Sequence, residues 1–234
     1  MYTQSLNIKL FDSDYTFSAQ SRTIYSFTSS NPLLSFTCFI PPPYSIPIHA
    51  DLSTQTPKDL HIVKPFDICL IDPPWSMTTK SPTRGLTISY SQLSDSSLLQ
   101  IPLDLWCNGI IWMWSFSSKL EVAISWLHKY NFFIVDTLTW VKASNDNVLQ
   151  FSQGFYMKHG TEVCIVAKHH HFTVNFRKGV IEDILVASRQ KHQSQKPEQI
   201  YEIIENFSPA SSYCELFGRK HNLRNHWTTI GLEL

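Results

Sequence analysis

The chain has 234 residues, of which 43% are hydrophobic and 16% are charged, a balance that excludes an intrinsically disordered protein and predicts a sizeable core. Lys plus Arg equals Asp plus Glu at 19 each, which excludes strong attraction of the chain on its own to a phosphate backbone. The apolar runs are too short to cross a bilayer and the N-terminus does not read as a secretory signal, so we predict a soluble protein of the cytosol or nucleus.

Residues 1–45 are rich in Ser, Thr, Phe and Pro without helical or alternating periodicity, which predicts an irregular N-terminal extension. A single domain is predicted over residues 46–234, where short apolar runs alternate with amphipathic stretches. This pattern is typical of an α/β fold with a mostly parallel sheet of about eight strands and flanking helices. The predicted strands are 46–50, 66–71, 109–114, 132–140, 162–168, 180–187, 213–217 and 227–230.

Three helices are predicted between the strands. A weak pattern covers residues 93–100, and the clearest one covers 118–130, where Ser118 and Glu121 match a capping box. A third helix is predicted over 197–207 from its apolar spacing.

Several common motifs are absent from the sequence. Of the seven glycines, none forms the phosphate-binding loop of a dinucleotide-binding enzyme or an NTPase, which excludes both classes. The five cysteines include no Cys-x-x-Cys pair, so we predict reduced, buried side chains. Three consecutive histidines begin at His169, and since adjacent side chains point in different directions, we predict a solvated turn and no metal site.

The sequence Asp72-Pro73-Pro74-Trp75 directly follows the apolar strand predicted at 66–71. Ligands of open α/β sheets bind at the carboxyl ends of strands. Prolines donate no hydrogen bond, so the Asp72 carboxylate and the backbone carbonyls are predicted to accept both hydrogens of an exocyclic NH2 group. The Trp75 indole is predicted to be exposed and to stack on the ring that carries this amine. The alternative is that Asp72 caps a loop and the prolines only end a strand.

This tetrapeptide and five further blocks in the same order resemble the MT-A70 family of S-adenosylmethionine-dependent adenine N6-methyltransferases, over residues 46–234. The resemblance implies a Rossmann-like class I methyltransferase fold with a permuted motif order, in which the catalytic tetrapeptide comes early and the cofactor-binding segment late. The five further blocks are residues 89–102, Trp140-Val141-Lys142, His159-Gly160-x-Glu162, Lys196-Pro197-Glu198-x-Ile200-Tyr201 and Glu215-Leu216-Phe217-Gly218-Arg219-x-His221-Asn222.

The resemblance also implies roles for individual residues. Asp72 and the Pro73 carbonyl would hold the target amine, and Pro74 with Trp75 would form a wall beside the base. Tyr90 and Glu162 would join Trp75 at the substrate. For Glu162, contact with a partner and an ion pair with the nearby Lys158 are alternatives. The residues expected to bind S-adenosylmethionine are Asp51, Asp72, Lys196, Glu215, Phe217, Arg219, His221 and Asn222.

The implied function is methylation of the N6 amine of adenine in nucleic acid, by the catalytic subunit of a heteromeric complex in the nucleus, or in nucleus and cytoplasm. DNA and RNA both stay open as acceptors. Family members that act on messenger RNA often carry zinc fingers ahead of this domain, and the absence of such a motif from these residues is compatible with a DNA enzyme and with an RNA enzyme that uses other subunits; DNA is the acceptor we predict. The segment from Ser144 to Lys158 is expected to bind a related methyltransferase-fold partner, which would supply a basic groove.

Two other functions are considered. A catalytically silent scaffold subunit is disfavoured by the intact Asp72-Pro73-Pro74-Trp75 sequence. A methyltransferase for a protein or small-molecule amine is disfavoured by the block that begins at Glu215, which belongs to the nucleic-acid branch.

Overall fold

The computed structural model describes residues 41–76, 92–144, 146, 148–152, 156–172, 174–190 and 194–234. The elements of this part belong to one compact unit, Ile40–Leu234. The strands are β1 (Ile46–His49), β2 (Phe66–Ile71), β3 (Cys107–Ser115), β4 (Phe132–Lys142), β5 (Thr161–His169), β6 (Ile184–Ala187), β7 (Tyr213–Leu216) and β8 (Trp227–Gly231). The helices are α1 (Asp95–Leu98), α2 (Leu103–Trp106), α3 (Leu120–Lys129) and α4 (Gln199–Phe207), with 3-10 turns at Ser117–Lys119 and Lys220–Asn222.

The strands form one sheet in the order β1-β8-β7-β2-β3-β5-β4-β6. In the described part of the chain, β5 alone runs antiparallel to its neighbours, β3 and β4, and the other pairs are parallel. This confirms the predicted α/β fold with a mostly parallel sheet of eight strands. Strand β2 lies between β3, the next strand along the chain, and β7, which comes much later in the sequence. Such a change of strand order opens a crevice at the carboxyl ends of the strands.

The central strands are nearly continuous apolar runs because both faces of the sheet are covered. On one face, Cys69 of β2 shares a buried core with Trp126 of α3. On the other face, Leu70 shares a second core with Ile204 of α4. The two helices therefore cover opposite faces, and the carboxyl edge of the sheet is left for polar residues.

The eight predicted strands are all present, and the bounds of β2 coincide with the prediction. The predicted capping box of Ser118 and Glu121 is wrong, because Ser117–Lys119 forms a 3-10 turn and α3 begins after it without a side-chain cap. Helix α2 was not predicted, since four residues are too few to show a period. Of the extension predicted for residues 1–45, only the last five residues are among those described.

Candidate active site

Asp72 is the first residue after β2, at the carboxyl edge of the sheet. Its carboxylate accepts hydrogen bonds from the Lys196 ammonium, with Nζ at 2.8 Å from Oδ1 and 2.9 Å from Oδ2. The Lys196 side chain is 13% exposed and that of Asp72 is 29% exposed. The pair is therefore largely withdrawn from water, where a charged hydrogen bond is stronger than at the surface.

The pair continues into an ion chain of four alternating charges: Asp72, Lys196, Glu162 and Lys142. Lys196 Nζ lies 3.5 Å from Glu162 Oε2, and Lys142 Nζ lies 2.6 Å from Glu162 Oε1. The topology brings these residues together, because Lys142 ends β4 and Glu162 lies at the start of β5. Since β5 is antiparallel, it begins at the edge where its neighbours end. Glu162 therefore pairs with Lys142 and Lys196 rather than with Lys158.

Burial and charge set the pKa values in the ion chain. Burial raises the pKa of Asp72 above its ordinary value, although Lys196 opposes the rise. Burial also acts to raise the pKa of Glu162, but Lys196 and Lys142 outweigh it and leave that pKa lowered. Burial acts to lower the pKa of Lys196, but the two carboxylates outweigh it and leave that pKa raised. Lys196 thus stays cationic, and Asp72 is the carboxylate of the chain that takes up a proton more readily.

The carbonyl groups of the tetrapeptide already accept hydrogen bonds. The Trp75 N–H donates to the Pro73 carbonyl at 2.8 Å, and the Leu93 N–H donates to the Pro74 carbonyl at 3.0 Å. Each carbonyl therefore has one lone pair already engaged within the protein. A carbonyl oxygen has two lone pairs, so each can accept one further donor.

Trp75 is buried, with 4% of its surface exposed. Its indole N–H donates to the Trp114 carbonyl at 3.2 Å, and its ring packs edge-on against Trp126. The prediction of an exposed indole is wrong, because the apolar ring and its N–H both find partners inside the protein. Contact of Trp75 with a base stays a prediction. The ring instead anchors the tetrapeptide to β3.

A cavity of about 250 Å³ opens beside Asp72, at the carboxyl ends of β1, β2, β7 and β8. We refer to it as the carboxyl-edge cavity. Five residues predicted for the site line it: Asp51, Asp72, Pro74, Phe217 and Arg219. The other lining residues were not named among the predicted site residues; they are Ala50, Leu52, Leu93, Gly218, Gly231, Leu232 and Glu233.

Two charged residues at the carboxyl-edge cavity are held by local contacts. Asp51 follows β1, and its Oδ1 accepts hydrogen bonds from the Ser53 N–H at 2.9 Å and the Ser53 hydroxyl at 2.6 Å. Arg219 forms an ion pair with Glu233, with Nε at 3.3 Å from the carboxylate. The cavity thus has an oriented carboxylate and a guanidinium in its wall.

Two glycines allow β7 and β8 to approach closely where the cavity begins. The Gly218 N–H donates to the Ile230 carbonyl at 3.0 Å, and a Cβ on Gly231 would lie 2.2 Å from the Gly218 oxygen. Because of this short distance, a larger residue at position 231 would push the two strand ends apart. Next to them, Phe217 has a φ of +62°, in the left-handed region that strains a residue with a side chain.

A buried polar network lies next to the cavity. The Tyr201 hydroxyl is 3.0 Å from both oxygens of Glu215 and accepts a hydrogen bond from Asn222 Nδ2 at 3.0 Å. Asn222 Oδ1 accepts a hydrogen bond from the Arg219 N–H at 3.0 Å. Burial raises the pKa of Glu215 to about 8. Glu215 therefore holds a proton at neutral pH, and the network supports the turn that carries Arg219.

Of the eight predicted cofactor residues, four line the carboxyl-edge cavity and four do not. Lys196, Glu215, His221 and Asn222 are not among the described residues that line the carboxyl-edge cavity. Lys196 belongs to the ion chain, and Glu215 and Asn222 belong to the buried network. Tyr90, predicted at the substrate, lies outside the described residues.

Sequence reasoning missed the roles of Lys142, Gly218 and Gly231. Lys142 is 4% exposed and ends an apolar strand, where a lysine needs a buried partner. Each of the two glycines directly follows a predicted strand, in a chain with only seven glycines. A lysine at a buried strand end and a glycine at a strand end are the signals that could have identified them.

A larger cavity of about 640 Å³ lies at the opposite edge of the sheet, at the amino ends of β7 and β8. Arg224 in its wall donates to both oxygens of Glu205, at 2.7 and 2.8 Å. The Trp227 indole N–H donates to the same carboxylate at 2.8 Å. Arg224 and Glu205 in the wall of this cavity thus bond to each other, and we assign the cavity no chemistry.

The described residues hold no group of three or more His, Cys, Asp or Glu side chains that could bind a metal ion. The histidines that begin at His169 close β5 and enter a turn, as predicted. Cys69, Cys107, Cys164 and Cys214 are buried and free, also as predicted, and the fifth cysteine, Cys38, lies outside the described residues. In the same part of the chain, no helix has the length and apolar character needed to cross a membrane.

Comparison with known proteins identifies the relatives of this chain. An N(6)-adenosine-methyltransferase MT-A70-like protein of Drosophila melanogaster is 32% identical over 180 residues, which are 75% of this chain and 28% of that protein. The human N(6)-adenosine-methyltransferase catalytic subunit METTL3 is 31% identical over 180 residues, 75% of this chain and 29% of METTL3. The human N(6)-adenine-specific methyltransferase METTL4 is 28% identical over 222 residues, 89% of this chain and 45% of METTL4.

The chain therefore spans less than half the length of these relatives. The sequence model of the MT-A70 family matches residues 66–233, a range that holds the whole ion chain and most of the residues around the carboxyl-edge cavity. With this match over most of its length, the chain belongs to the MT-A70 family and has the Rossmann-like fold of that family.

Proposed function

We propose that this protein uses S-adenosylmethionine to methylate the exocyclic N6 amine of adenine in nucleic acid. The observation that carries the proposal is the position of Asp72, whose carboxylate lies both in the wall of the carboxyl-edge cavity and at the end of the ion chain. Family membership and the names of the relatives support the same reaction. DNA as the acceptor stays a prediction, as does a nuclear location.

The carboxyl-edge cavity fits S-adenosylmethionine in its chemistry. Asp51 offers a carboxylate, Arg219 a cation and Phe217 an aromatic ring, while Gly218 and Gly231 let β7 and β8 approach closely at the cavity wall. The volume of about 250 Å³ is close to the lower limit of small-molecule sites, about 300 Å³. When bound, S-adenosylmethionine supplies its sulfonium methyl group as the electrophile.

Asp72 and Pro73 would hold the amine. The Asp72 carboxylate and the remaining lone pair of the Pro73 carbonyl accept the two N–H groups, which orients the nitrogen lone pair for attack. Positive charge develops on the nitrogen during transfer, and the Asp72 carboxylate stabilises it. The same carboxylate is placed to take the proton that the methylated nitrogen loses and to pass it to water.

The rest of the ion chain would keep Asp72 ionised and oriented. Lys196 bridges Asp72 and Glu162, and Lys142 fixes the far side of Glu162. Because 26% of the Glu162 side chain is exposed, it can also make the substrate contact predicted for it.

The test is methyl transfer from labelled S-adenosylmethionine to matched DNA and RNA oligonucleotides, with and without adenine, using protein purified together with any partner. Asp72→Asn should lower the rate by on the order of 10³-fold and leave cofactor affinity within about threefold, because it removes charge stabilisation but not the cavity. Asp59→Asn, which removes an exposed carboxylate bonded to Thr56, is the matched control and should have no effect.

Label that does not depend on adenine, or that survives in Asp72→Asn, would contradict the proposal. The absence of label with the complete complex would favour the scaffold alternative. The choice between DNA and RNA follows from which oligonucleotide is labelled.

We also propose that the segment from Ser144 to Lys158 binds a related methyltransferase-fold subunit. Two isolated bridges, Ala143 to Leu149 and Ser152 to His159, connect the segment to the residues just after β4 and just before β5. Its described apolar side chains are exposed, with Tyr156 91%, Met157 70% and Val148 63% accessible. Exposed aromatic and methionine side chains are typical of protein interfaces, and a partner would supply the basic groove that a chain of zero net charge lacks.

A photo-crosslinking amino acid at position 156 tests this proposal in cells that express the protein. We expect one crosslinked protein, with a methyltransferase domain identified by mass spectrometry. The control is the same amino acid at Val63, which is 99% exposed and lies outside the segment. Equal crosslinking from both positions, or none from position 156, would exclude this segment as the interface.

A further inference from the structure

An ion pair joins the buried Lys119 to the partly exposed Asp95. Lys119 Nζ lies 2.6 Å from Asp95 Oδ1 and 2.8 Å from Oδ2, and it also lies 3.5 Å from the Ser76 hydroxyl. The Lys119 side chain is 9% exposed. Neither residue lines the carboxyl-edge cavity, and neither belongs to the ion chain. No part of the proposed chemistry uses them.

The ion pair connects the two chain segments that carry the hydrogen bonds of the tetrapeptide. Ser76 directly follows Trp75, and Asp95 begins α1 two residues after Leu93. Leu93 donates its N–H to the Pro74 carbonyl at 3.0 Å and pairs with Trp75 in a parallel bridge. Lys119, the last residue of the 3-10 turn before α3, therefore contacts both flanks of this bridge from a third element.

Stability alone does not explain a buried lysine at this place. Burial of the Lys119 ammonium costs hydration, which offsets much of its attraction to Asp95, whose side chain is 38% exposed. A well-packed apolar pair is often as stable. An apolar pair makes no directional contacts. The Lys119 ammonium has three N–H donors, and here it donates hydrogen bonds to two separate segments. The pair is suited to fixing geometry rather than to adding stability.

We infer that Lys119 and Asp95 are positioning residues for the proposed methyl transfer, an inference that rests on the proposed function. They fix Ser76 and the start of α1 against α3, and through them the backbone of Pro73 and Pro74 that borders the amine site. Small displacements of reacting groups lower rates steeply. Loss of the pair should therefore lower kcat and leave the KM for cofactor and for oligonucleotide unchanged.

The test compares two double variants of the full chain, purified with any partner. Lys119→Met with Asp95→Leu replaces the ion pair by apolar residues, and Arg224→Met with Glu205→Leu does the same at the opposite edge of the sheet. The first should lower kcat about tenfold with both KM values within about twofold, and the second should leave kcat unchanged. Lys119→Arg keeps the charge and should retain at least about half of kcat.

Hydrogen exchange gives a readout that does not depend on activity. The Trp75 and Leu93 amides donate to the Pro73 and Pro74 carbonyls, so their exchange should become about tenfold faster in the Lys119 and Asp95 double variant. The Cys214 amide, in the core strand β7, serves as the internal reference. If the double variant does not fold, Asp95→Asn with the same readouts replaces it, because asparagine keeps the shape but removes the charge.

An unchanged kcat in the folded variant overturns the inference, as does a fall in kcat that the control double variant shares. A parallel rise in KM overturns it as well. If the wild-type protein transfers no methyl group to any acceptor, the proposed function fails instead. Exchange at Trp75 and Leu93 then still decides whether the pair holds the tetrapeptide in place.

Discussion

The two edges of the sheet each carry a carboxylate paired with a cation, and they differ in what the carboxylate can still do. At the amino edge, Glu205 receives two hydrogen bonds from Arg224 and one from Trp227. At the carboxyl edge, Asp72 is bonded to Lys196 and also lies in the wall of a cavity. The amino-edge cavity is the larger of the two, at about 640 Å³ against about 250 Å³.

The pKa values express the same difference. Burial acts to raise the pKa of Glu205, but the hydrogen bonds from Arg224 and Trp227 outweigh it and leave the pKa lowered. Burial raises the pKa of Asp72 and Lys196 only partly offsets it. A carboxylate that is fully satisfied inside the protein stabilises the fold, whereas one that is buried and incompletely satisfied can act on a ligand. Cavity size is the poorer guide to function here.

The largest effect that would test this comparison is expected from removing one cation at each edge. Lys196→Met should lower methyl transfer by about 10²-fold, since it leaves Asp72 and Glu162 without their shared partner. Arg224→Met should lower stability but not the transfer rate. Single-turnover kinetics with thermal unfolding separates the two effects, and equal loss of activity in both variants would show that the edges do not differ.

A smaller effect is expected at the far end of the ion chain. Lys142→Met removes the closest partner of Glu162 and should lower the free energy of unfolding by about 2 kcal/mol, because a buried charged hydrogen bond is lost. Chemical denaturation measures it. Lys158→Met, at an exposed lysine of the same region, is the control, and a similar loss there would argue against a special role for Lys142.

The wall of the carboxyl-edge cavity can be tested at a glycine. Gly231→Ala places a Cβ 2.2 Å from the Gly218 oxygen, so β7 and β8 must separate and cofactor affinity should fall about tenfold. Calorimetric titration with S-adenosylmethionine measures this. Gly179→Asn is the control, because a Cβ there meets no atom within 4 Å and asparagine tolerates its φ of +65°. Unchanged affinity in Gly231→Ala would place the cofactor elsewhere.

A further effect is a dependence of stability on pH that arises from Glu215. Its pKa is about 8 in the folded protein against an ordinary value of 4.5. Between these values the folded state binds a proton that the unfolded state releases. This contribution to stability is therefore fully present below pH 4.5 and is lost as the pH rises through about 8. The slope is at most about 1.4 kcal/mol per pH unit.

Glu215→Gln removes the titrating group and keeps its shape. Relative to the wild type, this variant should gain stability steadily as the pH is raised from about 5 to about 8. Urea unfolding at several pH values measures the difference. A constant difference across this range would show that Glu215 does not hold its proton in the folded protein.

The strands and the position of the tetrapeptide could be predicted from the sequence, because both follow from the local order of apolar and polar residues. Strand β2 is a continuous apolar run that stops at Asp72, and such a run predicts a strand covered on both faces. Because Asp72 directly follows this run, its position at the carboxyl edge of the sheet could be predicted as well. The short helix α2 and the true start of α3 could not be predicted, since one turn of helix carries too little periodicity.

The environment of each side chain was decided by the tertiary structure alone. Pairing between strands joins residues far apart in the chain, so the antiparallel direction of β5 and the contact of Glu162 with Lys142 and Lys196 have no local signature. Trp75 was predicted to be exposed, yet its ring and its N–H both find partners in the core next to β3. The sequence by itself determined which chemical groups stand at the strand ends, because apolar patterning is a local property. Only folding decided which of them meet, because burial and partner choice depend on contacts between distant segments.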